Sequence, residues 1–337
     1  MRILFAGTPE YAVPSLRALA GLKPHHEVAG VVTQPDRPRG RSREAAPPPV
    51  KEAALALGLP AERIFQPESI NEPEVLAVLR ALEPDLVCVI AYGGLLRKKA
   101  LAVSKLYALN AHGSLLPKHR GAAPIQAALL AGDAATGVTM MQMAPELDAG
   151  PMLLHREIPI APGETAATLH DRLAELSAKC FVKAVELIAS GRAVFTPQDE
   201  SQATYAPKLT KDSGLVDWTR DAAYLERFVR AMTPWPGAWS TLCAPDGTQP
   251  RRVRIAAAER APSGLTGAAS ESQRASAGAP GQAWTHLAAD GARLDVRCGD
   301  GGVLSIRAVQ PEAGREMSVA EFLRGAGRVY AAGCRMK

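Results

Sequence analysis

Aromatic residues are scarce: six Phe, six Tyr and four Trp in 337 residues, too few for an extended base-stacking platform. The five cysteines, Cys88, Cys180, Cys243, Cys298 and Cys334, are scattered and never form a C-x-x-C pair. Neither a disulfide framework nor a cysteine zinc site is indicated. No apolar run approaches the ~18 residues of a membrane span. The first apolar run is only Ile3 to Ala6 before Thr8, Pro9 and Glu10 break it, too short for a signal peptide. These absences lead us to expect a cytoplasmic protein with no membrane partner.

What is present fits a globular chain. Hydrophobic residues make up 47% and charged residues 22%, which excludes wholesale disorder. A length of 337 residues suits two domains of ~100–200 residues each. The net charge of +5 is unevenly placed: residues 1–200 hold 21 Lys and Arg against 21 Asp and Glu, and the remaining 137 residues hold 18 against 13. The whole excess therefore lies in the rear part. Four arginines, Arg37, Arg39, Arg41 and Arg43, alternate with small residues in one front loop. By composition alone such a loop is a solvated charged segment.

Short apolar runs at Ile3–Ala6, Glu27–Thr33, Asp85–Ala91, Leu106–Asn110 and Gly137–Met143 alternate with helical patterns at Glu10–Leu19, around Val50–Leu57, Asn71–Leu82 and Ala122–Leu130, and a long helix spans Glu164–Ser190. This alternation predicts a doubly wound α/β domain over residues 1–190. A polar stretch at 191–208 reads as a linker. Beyond it come an amphipathic helix, Ala222–Met232, and short strands at Arg252–Ala256, Ala283–Leu287, Arg293–Arg297 and Val303–Ala308, the pattern of a small barrel or sandwich over 209–330. Ala261–Gly281, almost all Ala, Ser and Gly, reads as a flexible insertion. Ser318-x-x-Glu321 resembles a capping box.

Ligands of open α/β sheets bind past the carboxyl ends of strands. Gly7-Thr8-Pro9 lies there but lacks the G-x-G-x-x-G pattern of a dinucleotide cradle. The densest polar constellation is Asn110-Ala111-His112-Gly113-Ser114. Side chains two apart on a strand share a face, so Asn110 and His112 project into one cleft. An amide donor beside an imidazole suits proton transfer and oxyanion stabilisation. Asp148 sits in a later glycine-containing loop, where it could orient His112 or simply make a turn. A serine hydrolase built on Ser114 is conceivable but lacks the G-x-S-x-G elbow. His112 and His119 lack metal-ligand spacing, so no metal is expected.

At these residues the sequence resembles the folate-dependent formyltransferases. Asn110-x-His112-x-Ser114-Leu115-Leu116-Pro117, then Arg120-Gly121-Ala122-Ala123-Pro124, then Leu147-Asp148-x-Gly150 together carry that family's signature. Phe5-Ala6-Gly7-Thr8-Pro9, Thr33-Gln34-Pro35-Asp36-Arg37-Pro38, Tyr205-Ala206-x-Lys208-Leu209 and Pro234-Trp235-Pro236 are similar to the branch acting on initiator methionyl-tRNA. His119 stands where that branch usually has an aromatic residue.

The resemblance implies a Rossmann-like formyltransferase domain followed by a C-terminal OB-like β-barrel that binds tRNA. It implies 10-formyltetrahydrofolate as formyl donor, Asn110, His112 and Asp148 as the catalytic set, and Ser114, Leu115, Leu116 and Pro117 as a loop against the folate. It further implies tRNA contacts from Arg37, Arg39, Arg41 and Arg43, and we expect a monomer. Two rivals within the family act on amino sugar nucleotides or on glycinamide ribonucleotide; the latter needs only about the first domain. A noncatalytic RNA-binding protein would have no use for the Asn110, His112 and Asp148 set.

Overall fold

Ile3, Leu4, Phe5 and Ala6 are all but inaccessible to solvent, so the first strand, β1 (Arg2–Gly7), is buried on both faces. That is the signature of the middle of a parallel sheet. A computed structural model of the chain describes residues 1–38, 44–244, 246–261, 279–288, 291–330 and 334–337. The chain divides into two units. The first comprises Met1–Ala128, Ala134–Ile160 and Thr168–Pro207; the second comprises Leu129–Asp133, Ala161–Ala167 and Lys208–Lys337.

Along the chain β1 is followed by α1 (Val13–Ala20), β2 (Glu27–Val32), α2 (Pro49–Ala56), β3 (Ile64–Phe65), α3 (Pro73–Ala81), β4 (Leu86–Ile90) and β5 (Tyr107–His112). Then come β6 (Arg120–Gly121), α4 (Pro124–Ala131), β7 (Ala135–Gln142), β8 (Met152–Pro159), α5 (Ala166–Ala189) and β9 (Tyr205–Ala206). Helices α1, α2 and α3 each carry proline in the first turn, where its missing N–H costs nothing and its fixed φ suits the helix. Val13, Leu16 and Leu19 of α1 form a buried stripe at helical spacing.

The main sheet runs β8-β7-β5-β4-β1-β2-β3. Strands β1 to β5 pair in parallel, whereas β5–β7 and β7–β8 are antiparallel. The sheet is thus Rossmann-like with an antiparallel edge, and the strand order reverses beside β1. Thr8, just past β1, donates its hydroxyl to the Tyr92 carbonyl just past β4 at 2.7 Å, tying the two strand ends where the order reverses.

The second unit holds α6 (Ala222–Met232), β10 (Ala238–Cys243), β11 (Arg251–Arg260), β12 (Gln282–Ala288), β13 (Gly291–Arg297), β14 (Val303–Pro311), β15 (Met317–Ser318), α7 (Val319–Arg324) and β16 (Cys334–Met336). Strands β11-β10-β16-β12-β13-β14 pair antiparallel, and β14 pairs back with β11. The result is a closed six-stranded barrel consistent with an OB-like fold. Helix α6 buries Leu225, Phe228, Val229 and Met232, and Asp221 caps it by accepting the Tyr224 amide at 2.7 Å. Ser318 caps α7 as its capping-box pattern predicts, accepting the Glu321 amide at 3.1 Å. The Glu321 carboxylate pairs instead with Arg315.

Among the described residues no helix is long and apolar enough to cross a membrane. Most of the insertion expected at Ala261–Gly281 lies outside the described residues. The stretch expected as a linker, 191–208, belongs to the first unit through Pro207: Thr196 bridges to Met152, and β9 pairs in parallel with β6. Its polar composition suggests a solvated connector, but its amides and carbonyls are used in those pairings.

Candidate active site

Strand β5 extends two residues beyond its expected end at Asn110 and so carries both Asn110 and His112, which share one face by its two-residue period. In the register with β7, Asn110 lies opposite Met141 and His112 opposite Thr139. Asn110 is partly exposed, whereas the His112 side chain is 6% exposed. The His112 Nε2 lies 2.9 Å from the His119 carbonyl. A carbonyl only accepts, so Nε2 carries a proton, and Nδ1 is the ring's other nitrogen. Asp148 faces that nitrogen: its Oδ2 is 3.6 Å from Nδ1, within ion-pair reach but longer than a formed hydrogen bond.

The same carboxylate oxygen accepts the Gly121 N–H at 2.8 Å. Asp148 has φ +51° and His119 has φ +59°, a left-handed conformation that costs a non-glycine residue free energy unless its surroundings hold it. Gly150, two residues past Asp148, admits no side chain, because a Cβ there would sit 1.8 Å from the Gln142 carbonyl oxygen. The aromatic residue expected at position 119 is a histidine, and its contact with His112 is made through the main chain. The substitution therefore leaves that hydrogen bond intact.

The Ser114–Pro117 loop begins directly after this strand. The Ser114 hydroxyl donates to the Lys118 carbonyl at 2.5 Å. Thr139 donates its hydroxyl to the Ser114 carbonyl at 2.8 Å and accepts the Leu116 amide at 3.0 Å. Ser114 and Leu116 are buried, and Leu115 and Pro117 are half-buried. Of the arginine loop, Arg37 is exposed and pairs with Glu68 at 3.1 Å. Arg39, Arg41 and Arg43 lie outside the described residues. Among the described residues no group of three His, Cys, Asp or Glu could hold a metal ion.

Three residues escaped the sequence reading as site components. Arg120, 2% exposed, donates from Nε and Nη2 to Gln198 Oε1 at 3.1 and 2.8 Å. Its Nη1 and Nη2 reach the two carboxylate oxygens of Glu200 at 2.8 and 2.7 Å. That fork holds the Glu200 carboxyl below its ordinary range. Gln198 then donates from Nε2 to the carbonyls of Asp148 and Gly150, both at 2.8 Å. Arg120 is 78 residues from one partner and 80 from the other, so no local spacing could have paired them.

Comparison with known proteins agrees with this architecture. Residues 1–185 match the formyl transferase family and residues 208–327 match the formyl transferase C-terminal domain. A methionyl-tRNA formyltransferase of Stenotrophomonas maltophilia (strain K279a) is 47% identical over 324 residues, covering 96% of this chain and 97% of that protein. The chain belongs to the methionyl-tRNA formyltransferase family. Another relative of that name, from Methylococcus capsulatus, is 46% identical over 323 residues and covers 96% of each chain. Among solved structures, the sugar 3N-formyl transferase WlaRD has a TM-score of 0.61 at 15% identity, over 91% of this chain and 97% of that one. HypX from Aquifex aeolicus, in complex with tetrahydrofolic acid, has a TM-score of 0.58 at 20% identity, over 98% of this chain and 47% of that one. These two likenesses concern the fold.

Proposed function

We infer that this formyltransferase moves a formyl group from 10-formyltetrahydrofolate to the free amino group of methionine on charged initiator tRNA, for translation initiation. What supports this reading is the approach of Asp148 to His112 at the carboxyl end of β5, on the strand face that Asn110 shares, in a chain aligned over 96% of its length with a methionyl-tRNA formyltransferase.

The folate donor supplies an activated formyl group. This chain's residues have three tasks. The Asn110 amide and the Nδ1–H of a doubly protonated His112, which at 3.6 Å makes no formed hydrogen bond to Asp148, are the donors for the oxygen on which negative charge builds during amine attack. Asp148 balances the charge of that imidazolium and, with the His119 carbonyl on the opposite nitrogen, fixes the plane of the ring. The proton that leaves the attacking nitrogen needs an acceptor other than the doubly protonated ring, and the Asp148 carboxylate is the basic group of the pair that takes it. The half-buried Leu115 and Pro117 offer an apolar edge suited to a flat folate ring. The Ser114 hydroxyl donates to the Lys118 carbonyl and so shapes the loop.

The basic second unit and the arginines at 37, 39, 41 and 43 supply positive charge for RNA phosphates. The tRNA substrate ties the enzyme to translation and thereby to the cytoplasm. The same reading takes the enzyme as a monomer, which light scattering checks.

The test is formylation of charged initiator tRNA by the full chain, with an amino sugar nucleotide as the competing acceptor. His112→Ala and Asp148→Asn should each lower the single-turnover rate by ~10²–10⁴-fold with circular dichroism unchanged. Transfer to the sugar nucleotide alone would overturn the acceptor, and near-normal turnover in either variant would overturn the assigned roles.

A further inference from the structure

We propose that Gln198 is a positioning residue for formyl transfer, holding Asp148 in its left-handed turn, and that Arg120 in turn locks Gln198. The inference rests on the catalytic reading of Asp148 and extends it to a segment whose sequence looks like a connector.

The side-chain amide of Gln198 has every bonding site filled. Its two N–H groups go to the Asp148 and Gly150 carbonyls, and its oxygen accepts twice from Arg120. The partners also settle which end is which: two carbonyls require the nitrogen, and a guanidinium requires the oxygen. Arg120 cannot swing away, because it is buried and its other donors are engaged by Glu200 and Tyr205. The clamp therefore grips the turn main chain at the residue whose carboxylate faces His112.

The same two segments grip the site elsewhere. His119, Arg120 and Gly121 are consecutive, and each touches a different part: the His119 carbonyl meets His112, the Arg120 side chain meets Gln198, and the Gly121 amide meets Asp148. From the other segment, Thr204 accepts the His119 amide on its hydroxyl at 2.8 Å and the Arg120 amide on its carbonyl at 2.8 Å. The His119–Gly121 run is thereby registered against residues 198–206. Asp148 is fixed at its carboxylate by one segment and at its carbonyl by the other. Removing the carbonyl grip leaves a strained turn free to relax, which swings the carboxylate relative to the ring.

Gln198→Glu is the sharpest perturbation. It keeps the shape and the acceptor for Arg120, but it turns a carboxylate oxygen toward two carbonyl oxygens. In steady-state formylation of charged initiator tRNA, kcat should fall by roughly 10- to 100-fold, the scale of a misplacement near 1 Å, while KM for both substrates stays within about twofold. Arg120→Lys, which keeps the charge but loses the fork, should shift kcat in the same direction.

Combined with Asp148→Asn, Gln198→Glu should cost less than about threefold more, because residues acting as a unit are non-additive. A kcat within about threefold of wild type in folded Gln198→Glu, or a fully additive loss in the double variant, overturns the clamp while leaving Asp148 in place. A wild-type rate in Asp148→Asn overturns the catalytic reading itself. Gln198→Met, similar in length and without donors, serves if the glutamate variant does not fold. Loss of fold in both assigns Gln198 to structure alone and overturns the proposal.

Discussion

Replacing Gly121 with alanine tests whether the backbone at the site is as tightly determined as the distances indicate. Gly121 has φ +115°, outside even the left-handed helical well, and such a conformation costs a side-chain-bearing residue ~1–3 kcal/mol. The new Cβ would lie 2.6 Å from the Ala206 carbonyl oxygen and 3.3 Å from its carbon, both main-chain atoms in the paired strand β9. Relieving 2.6 Å to between 3.0 and 3.4 Å needs a shift of about 0.4–0.8 Å. That shift stretches the Ala122 amide to Ala206 carbonyl bond, now 2.9 Å, whose loss costs about 1 kcal/mol.

The expected destabilisation of the first unit is therefore about 2–4 kcal/mol, or a urea midpoint lowered by ~1–2 M for a slope near 2 kcal/mol/M. Because the same residue's N–H holds Asp148, kcat should fall by at least ~10-fold. All four tryptophans, Trp218, Trp235, Trp239 and Trp284, lie in the second unit, so unfolding must be followed by far-ultraviolet circular dichroism. Gly58→Ala is the control, with φ +78° and nothing within 4 Å of the added carbon. It should cost about 1–2 kcal/mol and leave kcat unchanged. A urea midpoint within ~0.2 M of wild type, no more than about a fifth of the expected shift, together with unchanged kcat in Gly121→Ala, refutes this reasoning.

Three further outcomes follow from single features. Arg120 holds the Glu200 carboxyl below its ordinary value of 4.5. A depressed folded value stabilises above the unfolded value and is lost as pH falls through the folded one, so amide protection of residues 198–206 should fall below about pH 4.5 in the wild type. Glu200→Gln should flatten that fall, and an identical acid limb in the variant would count against it. Replacing Arg39, Arg41 and Arg43 together should weaken tRNA use and reduce the slope of log K against log salt by ~0.7–0.9 for each phosphate that is no longer neutralised, with folate binding intact; an unchanged slope returns the loop to a solvated role. Asp221→Ala removes the cap of α6 and should destabilise the second unit by about 1 kcal/mol, read by tryptophan fluorescence; a loss below ~0.3 kcal/mol, well under the usual range for a cap, would contradict the capping role.

Strand β4 was legible because Leu86–Ile90 is buried at every position, so an unbroken apolar run is its sequence image. Strand β10 was not. Its inward residues include Ala238 and Ser240, both fully buried, and small or polar interior groups erase the apolar alternation a barrel strand usually shows. Strand β8 was missed for a different reason: its middle, His155, Arg156 and Glu157, is exposed on the sheet edge, where charge discourages further pairing.

The candidate site divides along the same line. Asn110 and His112 declare themselves by a two-residue spacing on a strand, and Asp148 by its place in a family motif. Gln198 and Glu200 declare nothing, because what makes them part of the site is a buried arginine 78 and 80 residues away. A polar stretch with no periodicity reads as solvated until its partners are known.

The left-handed residues show why those distant partners matter. Apart from glycines, the described residues with positive φ are Glu83, Ala91, His119, Asp148, Gln249 and Ala313, and His119 and Asp148 flank His112 in space. Each of these two carries strain of about 1–3 kcal/mol. Hydrogen bonds grip both: His119 through its amide to Thr204 and its carbonyl to His112, Asp148 through its carboxylate to Gly121 and its carbonyl to Gln198. Two bonds worth about 0.5–1.5 kcal/mol each match that strain closely. Loss of one of these bonds weakens the grip on the strained residue, so the turn should relax while the surrounding sheet stays folded. The geometry of His112 against Asp148 is therefore set by the balance of strain and grip in two short segments, one of which sequence composition alone would assign to a linker.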